Sequence, residues 1–235
     1  MSTNSFFSKA KNKLKSEIYF LVNGIRKFQR SFYSAQHQLT STTGTNRYPE
    51  LFEEVRKNMF EKAAQKISIL SFGCSTGEEC FSLRRYFNNA LIIGTDINKS
   101  NLAKAEKNNA DENIRFIFST PENIIRQAPY EIIFCLSVLC RWEDTRYVEN
   151  CSALYPFEKF ESTVAMLSNL LAPGGLLVIY NSNFAFEDTT VYKADQYSII
   201  RTPSVPDSGF VYKFNKDCNR VYDTHAACVY QKARG

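Results

Sequence analysis

Clustered metal ligands are what this chain most conspicuously lacks: it has two histidines and no Cys-x-x-Cys pair in 235 residues. Without grouped thiolates or imidazoles there is no tetrahedral ligand set, so a zinc-built fold or zinc chemistry is not expected. Seven cysteines, at 74, 80, 135, 140, 151, 218 and 228, are odd in number and scattered, which fits a reducing, cytoplasmic setting. A membrane segment is missing from the N-terminal region as well. The apolar run Ile18–Val22 ends at Asn23, far short of the ~20 residues that cross a bilayer, and no small-residue cleavage site follows it. Neither secretion nor a transmembrane segment is expected. Low-complexity spacers are also absent, so the length reads as one α/β core with an N-terminal extension.

The net charge of +5 looks like a nucleic-acid signal until it is located. Residues 1–30 carry seven Lys and Arg against Glu17 alone, a surplus of six, which leaves the rest of the chain near −1. Apolar residues recur at helical spacing through the same stretch (Phe6, Leu14, Ile18, Leu21, Val22, Ile25, Phe28, Phe32), so residues 1–40 read as a basic amphipathic helical extension. It either caps the domain or offers a surface to an acidic partner. Residues 41–235 are the expected catalytic domain; nucleic acid is not expected as its partner, and its oligomeric state is left open.

Pro49 is placed to open a helix through Phe52, Val55 and Met59. Beyond it, apolar strands are expected at Ile67–Phe72, Leu91–Thr95, Ile114–Phe118, Tyr130–Cys135 and Leu176–Tyr180, alternating with helices around 78–88, 98–109, 121–127 and 157–171. That rhythm predicts a doubly wound, mostly parallel sheet covered on both faces, seven-stranded once the C-terminal pair below is added. Gly209–Asn215 and Ala226–Lys232 leave no room for a helix between them and predict an antiparallel C-terminal strand pair.

Chemistry concentrates where the first two strands end. Gly73-Cys74-Ser75-Thr76-Gly77 forms a glycine-rich turn into a helix, open to a ligand or merely tight in its packing. Glu78 and Glu79 follow it directly, which disfavours a phosphate and suits an ammonium group. Asp96 ends the second strand about twenty residues later, where a carboxylate either accepts ribose hydroxyls or caps the next helix.

Further along, Tyr130-Glu-Ile-Ile-Phe-Cys-Leu-Ser-Val-Leu139 and Leu171-Ala-Pro-Gly-Gly-Leu-Leu-Val178 are similar to the fourth- and fifth-strand signatures of class I methyltransferases. Within that group, residues 73–79 match the Gly-Cys-Ser-Thr-Gly-Glu-Glu motif of the chemotaxis receptor glutamate methyltransferases, the CheR type. Phe134-Cys-Leu-Ser-Val-Leu139 resembles their Phe-Cys-Arg-Asn-Val-Leu, and Thr43-Gly-Thr-Asn-Arg47 has the spacing of their Thr-x-x-x-Arg segment. The resemblance covers about Ser41 to Asn183. It implies S-adenosylmethionine as cofactor and S-adenosylhomocysteine as product. By that likeness Thr43 and Arg47 lie over the methionine end, Glu78 or Glu79 near its amino group, Asp96 with Ile97 on the ribose side, Thr120 beside the adenine, and Cys135, Leu136 and Ser137 along the floor. Two departures matter: Leu136-Ser137 replaces Arg-Asn, and only about twenty residues separate Asp96 from Phe116, too few for that family's receptor-docking insertion.

Substrate clues are thinner. No Asn/Asp-Pro-Pro-aromatic or Pro-Cys follows the fourth strand, and Cys135 reads as a buried strand residue rather than a nucleophile. Tyr180, Asn181, Ser182 and Asn183 after the fifth strand, with Tyr48, Arg141 and Trp142, are candidate substrate walls. Arg47 and Arg141 are a candidate anion clamp. Arg47, Tyr180 and His225 are the candidate catalytic residues, His225 being equally at home in a solvated turn. The expected activity is O-methylation of a small or carboxylate-bearing acceptor. Protein carboxyl methylation, a cofactor-binding module without turnover, and RNA methylation recruited by the basic extension remain open beside it.

Overall fold

Strand and helix alternate as that pattern requires in the computed structural model, which describes residues 36–59, 66–206, 209–222 and 228–234. Helix α1 (Pro49–Asn58) opens on its proline, and is followed by β1 (Ser68–Phe72), α2 (Glu78–Tyr86), β2 (Leu91–Asp96), α3 (Lys99–Asn108) and β3 (Ile114–Phe118). Next come α4 (Pro121–Ile125), β4 (Tyr130–Leu136), α5 (Phe157–Leu170), β5 (Leu171–Tyr180), β6 (Tyr197–Ile200), β7 (Lys213–Phe214), β8 (Arg220–Val221) and β9 (Val229–Lys232). From His37 onward the chain is one compact unit. Residues 1–35 of the expected extension lie outside the described residues.

The seven-stranded sheet runs β3-β2-β1-β4-β5-β9-β6. All neighbours are parallel except β9, which is antiparallel to both β5 and β6. Each central strand is buried on both sides because its residues alternate between two cores. Ile69, Ile92, Ile132, Phe134, Leu176 and Val178 face a layer built with α1, α2 and α3. Leu70, Ile93, Ile133, Cys135, Leu177 and Ile179 face the layer of α4 and α5. The winding direction reverses between β1 and β4, and the crevice beyond their carboxyl ends is where doubly wound folds take ligands.

The antiparallel C-terminal pair is present, but its first member is Tyr197–Ile200 rather than 209–215. The physical reason is Asn183, which draws the later segment out of the sheet: the Phe214 N–H donates to the Asn183 carbonyl (2.8 Å) and the Asn183 amide donates to the Tyr212 carbonyl (2.7 Å). Lys213–Phe214 then pairs only with Arg220–Val221, as a separate ribbon.

The glycine turn after β1 is held by packing as much as by conformation. Gly73 has φ +82°, and a Cβ there would stand 2.4 Å from Val138 Cγ2. Gly73→Ala is therefore expected to lower stability by about 2 kcal/mol through strain and overpacking together, read as a shift of the urea midpoint at unchanged m-value.

Candidate active site

At the switch point the turn closes on β2 through its backbone. The Gly73 and Cys74 N–H groups both donate to the Thr95 carbonyl at 2.8 Å. Cys74 itself points inward, 1% exposed, and its hydrogen bond with Cys80, then burial, pushes its thiol well up. Gly77, at φ +93°, leaves no space for a Cβ between Phe116 and Ala105. The glycines are thus explained by packing, and the ligand signal rests on the polar residues between and beyond them.

Asp96 provides the strongest of these. It is 9% exposed, its Oδ2 accepts the Ser75 N–H (2.9 Å) and its Oδ1 the Asn98 N–H (2.7 Å). It does not cap α3; the Asn98 side chain does, accepting from the Ser100 and Asn101 N–H groups. Burial raises the Asp96 carboxyl, opposed by backbone hydrogen bonds from Asn98, Ser75 and Ile97. Ser75 is held at φ +51°, and its hydroxyl is buried with no hydrogen-bond partner among the described residues.

A narrow crevice beside the turn is lined by Thr43, Arg47, Tyr48 and Glu79. Glu79 is half-buried, accepts from the Ser71 hydroxyl (2.8 Å) and forms no ion pair among the described residues. Burial pushes its carboxyl up to about 7, with the Ser71 bond and the Arg47 charge opposing. Arg47 lies over the Tyr48 ring, 5.0 Å from its centroid, and donates to the Thr42 carbonyl (2.7 Å). Glu78 is engaged elsewhere, accepting from the Thr76 hydroxyl at 2.6 Å. The structure therefore separates the two acids and puts Glu79 in the crevice.

The ends of β4 and β5 meet the same edge. Ser137 (φ +57°) and Asn181 (φ +56°) are both left-handed, on neighbouring strands where the Ser137 N–H donates to the Tyr180 carbonyl (2.9 Å). Such conformations cost about 1–3 kcal/mol each and persist where surrounding contacts enforce them. Here the Asn181 amide donates to Ser137 Oγ (2.9 Å), which also meets Tyr48 Oη (2.8 Å). Cys135 is fully buried, its thiol pushed well up by burial and the Glu79 charge, so it is a strand residue and no thiolate. Leu136 is 6% exposed and Ile97 is half-buried. Thr120 caps α4, accepting from the Asn123 N–H (3.3 Å).

The expected substrate walls divide. Asn183 is fully buried and spent on bracing, accepting from the Arg141 N–H (2.6 Å) and donating to Thr145 and Tyr212. Arg141 pairs with Asp144 (3.6 Å), while Arg47 is held by the Thr42 carbonyl and the Tyr48 ring. Trp142 packs edge-on to Phe210 (5.8 Å). The Tyr180 hydroxyl donates to the Pro206 carbonyl. His225 lies outside the described residues. Tyr180, Asn181 and Ser182 do line a cavity of about 490 Å³ between β5, β6 and the start of β9. Two of its residues, Arg201 and Lys213, went unnoticed in the sequence because nothing local marks them.

His37 was also missed. It is 5% exposed, with Nδ1 2.6 Å from Tyr155 Oη and Nε2 3.1 Å from Thr163 Oγ1. Among the described residues there is no group of metal ligands and no helix long and apolar enough to cross a membrane.

Residues 63–219 match the protein family described as "Methyltransferase domain". Over 138 residues the chain is 30% identical to a malonyl-[acyl-carrier protein] O-methyltransferase of Halalkalibacterium halodurans, covering 57% of this chain and 44% of that protein. The chain thus spans less than half the length of this curated relative. Among solved structures, the plantazolicin methyltransferase BpumL in complex with SAH is similar at 17% identity over 57% of this chain and 47% of that one, with TM-score 0.40. CalS10 of Micromonospora echinaspora, an amino pentose methyltransferase with bound SAM, is similar at 17% identity over 68% and 58%, with TM-score 0.41.

Proposed function

Since the chain belongs to the methyltransferase-domain family, we propose that it is an S-adenosylmethionine-dependent methyltransferase that O-methylates a small or carboxylate-bearing acceptor. The observation that carries the reading is Asp96: a buried carboxylate at the carboxyl end of β2, oriented by two backbone N–H donors and not consumed by a helix cap.

The residues present fit the cofactor. A carboxylate with both oxygens pinned suits a pair of vicinal hydroxyls. Glu79 and Arg47 line one crevice, about 20 Å³ in this structure, and supply one charge of each sign, as the amino and carboxylate groups of a zwitterion require. Ser75 adds a buried hydroxyl still lacking a partner. Glu79 would bind the amino group, Arg47 and Thr43 the carboxylate end, and Asp96 the ribose. Ile97, Thr120 and Leu136 would flank the base, with the backbone of residues 73–77 beneath. Bound there, S-adenosylmethionine supplies a methyl group made electrophilic by its sulfonium.

The chain's own residues then position and exclude water rather than move protons. A carboxylate acceptor is already ionised at neutral pH, so no side chain has to take a proton from it. This suits the edge, where the Tyr48, Ser137 and Asn181 polar groups are tied to one another and Tyr180 to Pro206. We assign residues 41–235 as the catalytic domain and residues 1–40 as a basic extension. The Thr43–Arg47 segment and Glu79 support a cofactor grip like that of the chemotaxis receptor methyltransferases, without their receptor substrate. Seven unpaired cysteines support a reducing, cytoplasmic setting.

Calorimetric titration with S-adenosylmethionine and S-adenosylhomocysteine tests the reading. Micromolar binding is expected, weakened at least about tenfold, ~1.4 kcal/mol, by Asp96→Ala. Absence of binding by the folded wild type would overturn it.

A further inference from the structure

The cavity between β5, β6 and β9 combines three features that point to one class of ligand. Its volume of about 490 Å³ lies within the ~300–1,000 Å³ typical of small-molecule sites. Its wall includes apolar surface that the fold leaves uncovered, Ile199 being 42% exposed. And the charges along it are of one sign: Arg201 and Lys213 line it, with no aspartate or glutamate among the described residues that do.

Placement links this cavity to the edge formed by the ends of β4 and β5. Asn181 lines it while its amide donates to Ser137 Oγ (2.9 Å) at the end of β4. Lys213 is brought there by the departure of β7 from the sheet. Asn183 ties the backbone of Tyr212 and Phe214 on either side, and Lys213 Nζ donates to the Ser182 carbonyl (2.8 Å), fixing the ammonium beside the end of β5. A cation anchored at one side of an apolar cavity matches a ligand with an anionic head and an apolar body.

We propose that this cavity is the acceptor site and that it selects amphipathic carboxylates, with Lys213 and Arg201 drawing the anionic group and Ile199, Ile200 and Val205 packing the apolar body. The proposal rests on the methyltransferase reading for its role, but its ligand preference can be measured without the cofactor. Lys213 and Arg201 replace the Arg47 and Arg141 clamp expected from sequence. They act as specificity-determining residues.

The test uses three probes of one shape: 4-phenylbutyrate, 4-phenylbutyramide and 4-phenylbutylamine, titrated by ligand-observed NMR into the full chain with and without S-adenosylhomocysteine. The carboxylate is expected to bind about tenfold more tightly than the amide, and the amine more weakly than either. Lys213→Met should reduce that preference to about threefold or less. Should that variant fail to fold, Arg201→Gln, at an exposed strand end, should reduce the preference in the same direction, and Ile199→Trp should weaken all three probes by filling the cavity. Equal binding of carboxylate and amide, no binding of any probe, or a preference unchanged in the charge variants would overturn the proposal. Titration of S-adenosylhomocysteine in the same samples reports on the cofactor reading alone, so the two failures are distinguishable.

Discussion

Replacing His37 with phenylalanine is expected to cost about 2 kcal/mol at pH 8, by leaving the Tyr155 hydroxyl without its buried acceptor and Thr163 without the His37 donor, and to remove the larger destabilising contribution that this histidine makes on acidification. The Thr163 hydroxyl donates to the Lys159 carbonyl (3.0 Å), so it must accept from His37 Nε2–H. That leaves Nδ1 as the lone pair receiving the Tyr155 proton at 2.6 Å. A second ring proton has no acceptor there, and the Lys159 and Arg141 charges oppose it. Burial first, and those charges second, lower the pKa from 6.5 to about 3. Because the folded value lies below the unfolded one, the unfolded chain takes up the proton first as pH falls below 6.5. The stability this neutral histidine confers is complete above pH 6.5 and is lost toward pH 3, ~4–5 kcal/mol in all. Urea midpoints of wild type and His37→Phe should therefore converge as pH falls from 8, cross near about pH 5 and stand in reverse order at pH 4; parallel curves would show that His37 titrates normally.

Glu79 gives the second large effect, of opposite sign. Its folded pKa of about 7 stands above the ordinary 4.5, so holding it ionised costs stability. The penalty is absent below pH 4.5, grows as pH rises, and is complete above pH 7, at most about 3 kcal/mol and less where solvent reaches the carboxylate. Glu79→Gln should accordingly stabilise the ligand-free protein at pH 8, leave it nearly unchanged at pH 4, and weaken binding of S-adenosylhomocysteine. In the wild type an ammonium arriving at Glu79 should expel its proton. Calorimetry at pH 7 in two buffers of different ionisation enthalpy would read that release, which should vanish at pH 9 and in Glu79→Gln.

The two groups nearly cancel between pH 4.5 and 6.5, where one gains stability with pH as the other loses it. Wild-type stability should look flat across that interval as far as these groups decide it. Each single variant should uncover the slope of the other, falling with pH in His37→Phe and rising in Glu79→Gln.

Much of the fold was legible in the residues because strand and helix periods are local. The edge strand Ile114–Phe118 was read to the residue, and the central strands within a few positions, since strands buried on both faces leave near-continuous apolar runs. Asp96 and the turn at 73–77 were legible for a related reason: both are fixed by their place at the end of a strand.

What failed to show depended on contacts across long stretches of chain. Choosing Glu79 over Glu78 required the fold that brings Thr43, Arg47 and Tyr48 to the crevice Glu79 lines. Asn183 looked like a site residue from its position after β5, and only the burial of its amide against Arg141, Thr145 and Tyr212 made it a brace. His37, assigned to an extension, became part of the core through partners more than a hundred residues away. The sequence by itself determined the doubly wound order, the turn and the acid that follows it, because backbone hydrogen bonding and side-chain period act over a few residues. The tertiary structure alone decided which charges share a cavity and which histidine is kept neutral, because burial and electrostatic neighbourhood are properties of the packed chain.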